Sequence, residues 1–244
     1  MHVAGLWRYP VKSLAGEPLP ATPLTADGIP GDRVVHVAGP NGPLTGRTRH
    51  GLLTIPAATG VDGQPEVAGH PWRSAAAANI VRVAAGPTAE LVAYTGSERF
   101  DVLNLLVATD GAVAAFGHDL RRLRPNLLIG DVPAGAETTW PGRTLTVGDA
   151  VIGVYAVRQR CVVTTIDPDT GAQDLDVLRH IRRRFDYRLG LDCWVIRPGQ
   201  VQVGDPVALA GTTAVPPPAG GWIVGRPYRL AERHEGGSHA GRGR

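Results

Sequence analysis

Apolar residues fall in short runs cut by glycine, proline and aspartate, the pattern of a chain built from many brief strands. Val3 to Tyr9 reads as a first strand, stopped by Pro10, so Lys12 and Ser13 lie just past a strand end, where a side chain can face a ligand. Val34, Val35 and Val37 suit a second strand, Pro40-Asn41-Gly42-Pro43 a turn, and Leu52 to Ile55 another strand. Ile80 to Ala84 and Ala89 to Tyr94 read as further short strands. Helical signals are sparse. Thr109 or Asp110 caps a predicted helix, GAVAAFGHDLRRL, that Pro125 ends, and Asp174 caps a second, LDVLRHIRRRF, with Leu178, Ile181 and Phe185 on one face. Its closing Arg182, Arg183 and Arg184 suit the negative end of the helix dipole and read as a solvated face.

Two segments resemble each other. TLTVGDAVIGV (144–154) and VQVGDPVALAG (201–211) each place Val-Gly-Asp-x-Val between extended runs, and such paired bends suit a closed or nearly closed barrel. Beyond Gly211 the composition shifts. Pro216-Pro217-Pro218 reads as a stiff spacer and EGGSHAGRGR as a disordered tail, with His234 just before it and His239 within it read as tail composition rather than metal ligands. The expected fold class is mainly β (α+β) with few short helices, divided into residues 1–91, 92–212 and 213–244.

Composition narrows the function. The 244 residues are 43% hydrophobic, with 32 glycines and 21 prolines, ordinary for a turn-rich globular protein. The formal charge of +3 comes without aromatics interleaved along a basic stripe, so nucleic acid is not an expected partner. Lys12 is the only lysine among 25 basic residues, and a compact point charge is a reason to keep one there. The first twenty residues hold no apolar stretch of signal-peptide length, and no run approaches the roughly 18 apolar residues of a membrane span. With only two cysteines, Cys161 and Cys193, a soluble monomer of a reducing cytoplasm is expected.

Cys161 sits in RQRCVVTTIDPDTG. Read as one strand from Val151 to Ile166, the segment puts Gln159, Cys161 and Val163 on one face and Arg158 and Arg160 on the other. Val157 and Val163 could simply bury the thiol. Against that, Gln159 is polar on the same face, the strand ends soon afterwards at Asp167-Pro168, and nearby cations favour the metal-binding thiolate. Periodicity leaves packing and ligation both open. Cys193, in the apolar run LDCWVIRPG, reads as core.

The stretch R-x-R-C-V-V-T-T-I-D-P-D-T-G resembles the signature of the MOSC superfamily, in the branch of the mitochondrial amidoxime-reducing component and its bacterial relatives. Tyr9-Pro10-Val11-Lys12-Ser13, Gly31-Asp32-Arg33, Arg124-Pro125-Asn126 and RPGQVQVGDPV resemble further motifs of that family, in order along most of the chain. Asp101-Val102-Leu103-Asn104 departs from the small polar residues and proline usual in relatives, and only Asp101 matches.

The resemblance implies a β-barrel-like N-terminal domain (1–91) packed on a MOSC domain (92–212), with a molybdenum–molybdopterin (pyranopterin) cofactor between them. It makes Cys161 the thiolate ligand to molybdenum and the catalytic position. Lys12, Ser13, Arg33 and Arg124 would hold phosphate and pterin, and Asp101, Asn126, Gln159 and Arg160 would complete the pocket. The activity implied is reduction of N-hydroxylated compounds. The sequence carries no C-x4-C-x2-C run for an iron-sulfur cluster and no G-x-G-x-x-G, so electrons are expected from a separate protein of ferredoxin or flavoprotein type. Pyridoxal phosphate is not expected. A second reading is a non-catalytic cofactor-binding protein or a carrier of sulfur as a Cys161 persulfide; a third is a basic barrel that binds an anionic polymer.

Overall fold

The computed structural model describes residues 1–218; the tail EGGSHAGRGR, with His234 and His239, lies outside the described residues. The fold is mainly β, with three α-helices among the described residues. Its centre is an eight-stranded sheet of β1 (His2–Arg8), β2 (Glu17–Pro18), β3 (Leu105–Thr109), β4 (Leu127–Gly130), β5 (Arg143–Val147), β6 (Ala150–Gln159), β7 (Arg188–Arg197) and β8 (Val207–Thr212). The spatial order is β8-β5-β6-β7-β3-β4-β1-β2. β3 and β4 run parallel, joined by a crossover that includes a helix, while the other pairs in the order are antiparallel. The sheet curls so that the start of β1 meets the chain entering β8: His2 bridges Pro206, and Gly204 N donates to Val3 O at 2.8 Å. The two Val-Gly-Asp bends flank this seam. Gly148 (φ 52°) turns β5 into β6, and Gly204 (φ 94°) turns the chain into β8, conformations that suit glycine.

Three apolar cores support the sheet. One fills its concave side, including Val3, Leu6, Leu105, Ile129, Ile152 and Cys193. A second gathers Val11, Leu14, Val35, Leu52, Val67 and Val81 around the strands at 35–39, 42–44 and 90–93. The third joins Phe116, Leu123, Val177 and Ile181 beneath two helices. β1 and the strand Ala21–Leu24, both early in the chain, pair with β4 and with Gly199–Gln202.

Four sequence expectations are corrected. Ile80 to Ala84 is not a strand but part of α1 (Ala75–Ala85): Ser74 Oγ accepts Ala77 N–H at 3.1 Å, and Ala77, Val81 and Ala85 are buried at four-residue spacing. Leu52 to Ile55 is not a strand: His50–Thr54 form a 3-10 turn, closed by Leu52 N–H to Arg49 O at 3.0 Å and Ile55 N–H to Leu52 O at 3.2 Å. The helix expected to reach Pro125 stops as α2 (Asp110–Phe116) at left-handed Gly117, and a separate 3-10 turn, Leu120–Arg122, follows. Finally, Val151 to Ile166 is not one strand. β6 ends at Gln159, and the chain enters a 3-10 turn at Val162–Thr165. The helix capped by Asp174 forms as expected, as α3 (Leu175–Phe185).

Candidate functional site

A cleft opens where the three cores approach one another. Lys12 and Ser13 reach it between core residues Val11 and Leu14, Leu106 from β3, Leu123 and Arg124 from the segment before β4, and Arg158 to Cys161 from the end of β6. Its volume out to the mouth is about 790 Å³. Three of its residues, Ser13 (φ 71°), Arg33 (φ 56°) and Arg124 (φ 56°), hold left-handed backbone although none is glycine. Such residues cost roughly 1–3 kcal/mol each and persist only where the surroundings fix them.

Asp32, fully buried, organises one wall. Its carboxylate accepts the Tyr9 amide at 2.7 Å and Asn126 Nδ2 at 3.2 Å, and it pairs with the Arg33 guanidinium. Asn126 Oδ1 in turn accepts Leu106 N–H at 3.2 Å, locking the side chain to β3. Tyr9 donates to Pro125 O at 3.0 Å, with Arg124 and Arg33 over its ring at 4.4 and 4.8 Å. Burial raises the phenol to about 12 despite these cations, so it stays a hydrogen-bond donor. Arg124 also donates to Leu14 O at 2.6 Å.

Asp101 organises the opposite wall. Lys12 Nζ stands 3.1 Å from one carboxylate oxygen and donates to Arg99 O at 2.8 Å; Arg47 and Arg158 lie 3.1 and 3.3 Å from the other oxygen. Burial alone would raise this carboxyl, but the three cations outweigh it and hold it far below the carboxylate range. Burial lowers Lys12 against the pull of Asp101. Arg158 further pairs with buried Asp192 at 2.8 Å.

The half-buried Cys161 lies between these walls and lines the cleft together with Arg47. Thr164 Oγ1 donates to Cys161 O at 2.9 Å and pins the turn that carries it. Cys193 is fully buried against β3 and β6, so Cys161 is the thiol that solvent reaches. Arg160 donates to Leu123 O at 2.7 Å, while its buried Nε has no partner. Burial pushes both Arg160 and Arg124 down to about 10.

Six cations against two carboxylates line the cleft. Buried cations with depressed pKa values gain from an anion, and an orphaned guanidinium N–H calls for an acceptor. A single thiol cannot hold a metal alone, and no group of three or more His, Cys, Asp or Glu side chains suited to a metal occurs among the described residues. The donor set fits a metal that brings its other ligands on a polar, phosphate-bearing group.

The structure brings all nine residues expected at the site into this cleft: Lys12, Ser13, Arg33, Asp101, Arg124, Asn126, Gln159, Arg160 and Cys161. One orientation is corrected. Arg158 and Arg160 do not point away from the sulfur but line the cleft with it, because register shifts between β6 and β7 break the alternation before the strand ends at Gln159. Sequence reasoning missed Arg47 and Asp192. The loop Thr45-Gly46-Arg47 packs close, since a Cβ at Gly46 would stand 2.7 Å from Leu53, but no local pattern in the sequence marks it.

Fold and site define a curled β-sheet protein with a cation-lined cleft around a reachable thiol. Residues 82–208 match the MOSC domain, more than half of the chain, and the chain belongs to that family. It is 31% identical over 126 residues to the human protein named mitochondrial amidoxime reducing component 2, and 29% identical over 139 residues to human mitochondrial amidoxime-reducing component 1. These matches span 44% and 49% of this chain but only 37% and 39% of the relatives. Among solved structures, YuaD from Bacillus subtilis is 14% identical, with TM-score 0.47 over 86% of this chain and 96% of that one. YiiM from Escherichia coli is 17% identical, with TM-score 0.34 over 47% and 57%. No helix among the described residues is long and apolar enough to cross a membrane.

Proposed function

We propose that the cleft binds a pyranopterin molybdenum cofactor through the Cys161 thiolate, and that the protein reduces N-hydroxylated compounds. The carrying observation is the convergence of nine residues, from five separate stretches of chain, on one cationic cleft around the reachable thiol. The names of the relatives support amidoximes as the substrate class. When bound, the cofactor supplies two-electron redox chemistry. In the net reaction the N–O bond breaks, two electrons and two protons are taken up, and the oxygen leaves as water. A separate ferredoxin- or flavoprotein-type donor supplies the electrons.

The chain's own residues bind and orient. Lys12, Ser13, Arg33 and Arg124 receive the phosphate and pterin, with Asn126, Gln159 and Arg160 as directional partners; the unpartnered Arg160 Nε is the clearest open donor. Asp101 aligns Lys12, Arg47 and Arg158 rather than touching an anion itself, because its own charge would repel one. Asp32 fixes Arg33 and Asn126 from behind.

Metal and pterin analysis of protein from a host that makes the cofactor tests this reading. Stoichiometric molybdenum and pterin are expected, with the metal lost in Cys161→Ser, together with turnover of benzamidoxime by a chemical reductant. Bound cofactor without turnover of any amidoxime, hydroxylamine or N-hydroxylated base would favour the non-catalytic carrier. Absence of both metal and pterin would remove the proposal.

A further inference from the structure

A second cavity, of about 870 Å³ out to its mouth, adjoins the cleft, and the roles assigned above leave it unused. The two share Leu53, Arg124 and Val163 as a common wall. The 3-10 turn that leaves Cys161 runs along that wall and ends at Ile166, inside the second cavity. One end of this short turn thus faces the thiol site and the other faces a different environment.

That environment is mainly apolar. Trp7, Tyr9 and Pro18 line it together with Ile166 and Pro168. The Trp7 indole lies over Gly5 and the Tyr9 ring over Gly16; a Cβ at either glycine would stand within 2.5 Å of a ring carbon. Two arginines at the rim are already neutralised: Arg121 by Asp119 and Asp169 at 2.6 and 2.7 Å, and Arg122 by Asp167 at 3.0 Å. Arg124 belongs to the shared wall, where it donates to Leu14 O and lies over the Tyr9 ring, and its role is assigned to the cofactor cleft. The Tyr9 ring is already covered by Arg124, Arg33 and Gly16, but the Trp7 indole and the prolines, with paired charges beside them, favour a planar, uncharged, apolar guest. They disfavour a sugar, whose hydroxyls would lose water without gaining partners.

We propose that this cavity is the substrate-body subsite: it receives the planar apolar part of the substrate while the N–O head crosses the shared wall toward Cys161. This inference rests on the function proposed above and narrows it. The preferred substrates are aryl amidoximes and aryl hydroxylamines, ahead of bare hydroxylamine and of N-hydroxylated nucleosides.

Ala15 lines the cavity and not the cleft, so Ala15→Trp fills the subsite and leaves the nine cofactor residues in place. With a chemical reductant, the ratio of kcat/KM for benzamidoxime to that for hydroxylamine should fall at least tenfold in the variant, with molybdenum and pterin content unchanged. Ligand-observed NMR provides a readout independent of turnover: benzamidoxime should bind the wild-type protein, with or without metal, and bind Ala15→Trp at least tenfold more weakly. If Ala15→Trp does not fold, Pro18→Trp at the exposed edge carries the same expectation. An unchanged ratio with intact cofactor overturns the subsite while the reductase reading stands. Loss of pterin in the variant overturns it by giving the cavity to the cofactor. Protein that never carries metal yet shows the binding difference loses the reductase reading and keeps the subsite.

Discussion

Replacing Asp32 by Asn tests whether the site and the fold share one support. The carboxylate is fully buried and accepts the Tyr9 amide, Asn126 Nδ2 and the Arg33 guanidinium, whose side chain is only 13% exposed. Asparagine keeps the shape and can still accept Tyr9 N–H, but it removes the charge and turns an amide donor toward Arg33 or Asn126. Breaking one partner of a buried ion pair costs about 3–5 kcal/mol. Arg33 retains some access to water through the cleft, so the lower end, about 3 kcal/mol, is expected. With a urea slope of about 3 kcal/mol per molar, the midpoint should drop by about 1 M. Urea unfolding followed by tryptophan fluorescence and far-UV circular dichroism measures this. The double variant Asp32→Asn/Arg33→Met should lose less than the sum of the two single variants, because it leaves no stranded charge. A midpoint shift below about 0.3 M would refute Asp32 as the common support.

Two further predictions concern stability. His36 is buried, with a ring nitrogen 3.0 Å from Arg33 O; burial, reinforced by Lys12, lowers its pKa from 6.5 to about 3. The unfolded chain therefore takes up the proton first. This contribution is complete above the unfolded value and is lost as pH falls toward 3, at up to about 1.4 kcal/mol per pH unit; in His36→Gln that part of the slope should vanish from urea midpoints measured across the window. Gly111→Ala should lower Tm although alanine favours helices: the new Cβ would lie 2.1 Å from Val132 O and 2.5 Å from Ala134 N, and a loss of about 1–3 kcal/mol is expected.

The first strand, the Asp174-capped helix and the paired Gly-Asp bends were legible because each carries its own local signal: a Pro10 stop, an N-cap before an amphipathic run, and a glycine that can turn. Ile80 to Ala84 misled because its β-branched residues look extended, while the deciding information was Ser74 and the burial of Ala77, Val81 and Ala85 on one helical face. Around Cys161 the failure has a different cause. Alternation presumes a regular ladder, yet β6 shifts register against β7 three times, and a single-residue shift reverses every side chain beyond it. The residues picked out by motif resemblance line one cleft, while periodicity aimed Arg158 and Arg160 away from it. Arg47 was invisible to both, since a single arginine in a short loop has no period and its partner Asp101 is 54 residues away.

The left-handed residues explain how one short stretch can serve core and cleft together. Val11 and Leu14 are fully buried, and between them Lys12 and Ser13 must face the opposite way; the positive φ of Ser13 makes that reversal within a single residue. Arg33 does the same between buried Asp32 and Val35, and Arg124 between Leu123 and Asn126. Glycine would relieve most of the strain at each turn, but it would bring no cation or hydroxyl to the cleft. The strain is held by the contacts on either side: Arg33 N–H donates to Tyr9 O at 2.7 Å, and Lys12 N–H to Val35 O at 2.8 Å. Cations carried on backbone that is already fixed would lose little entropy when an anion arrives, and the proposed cofactor role would draw on that preorganisation.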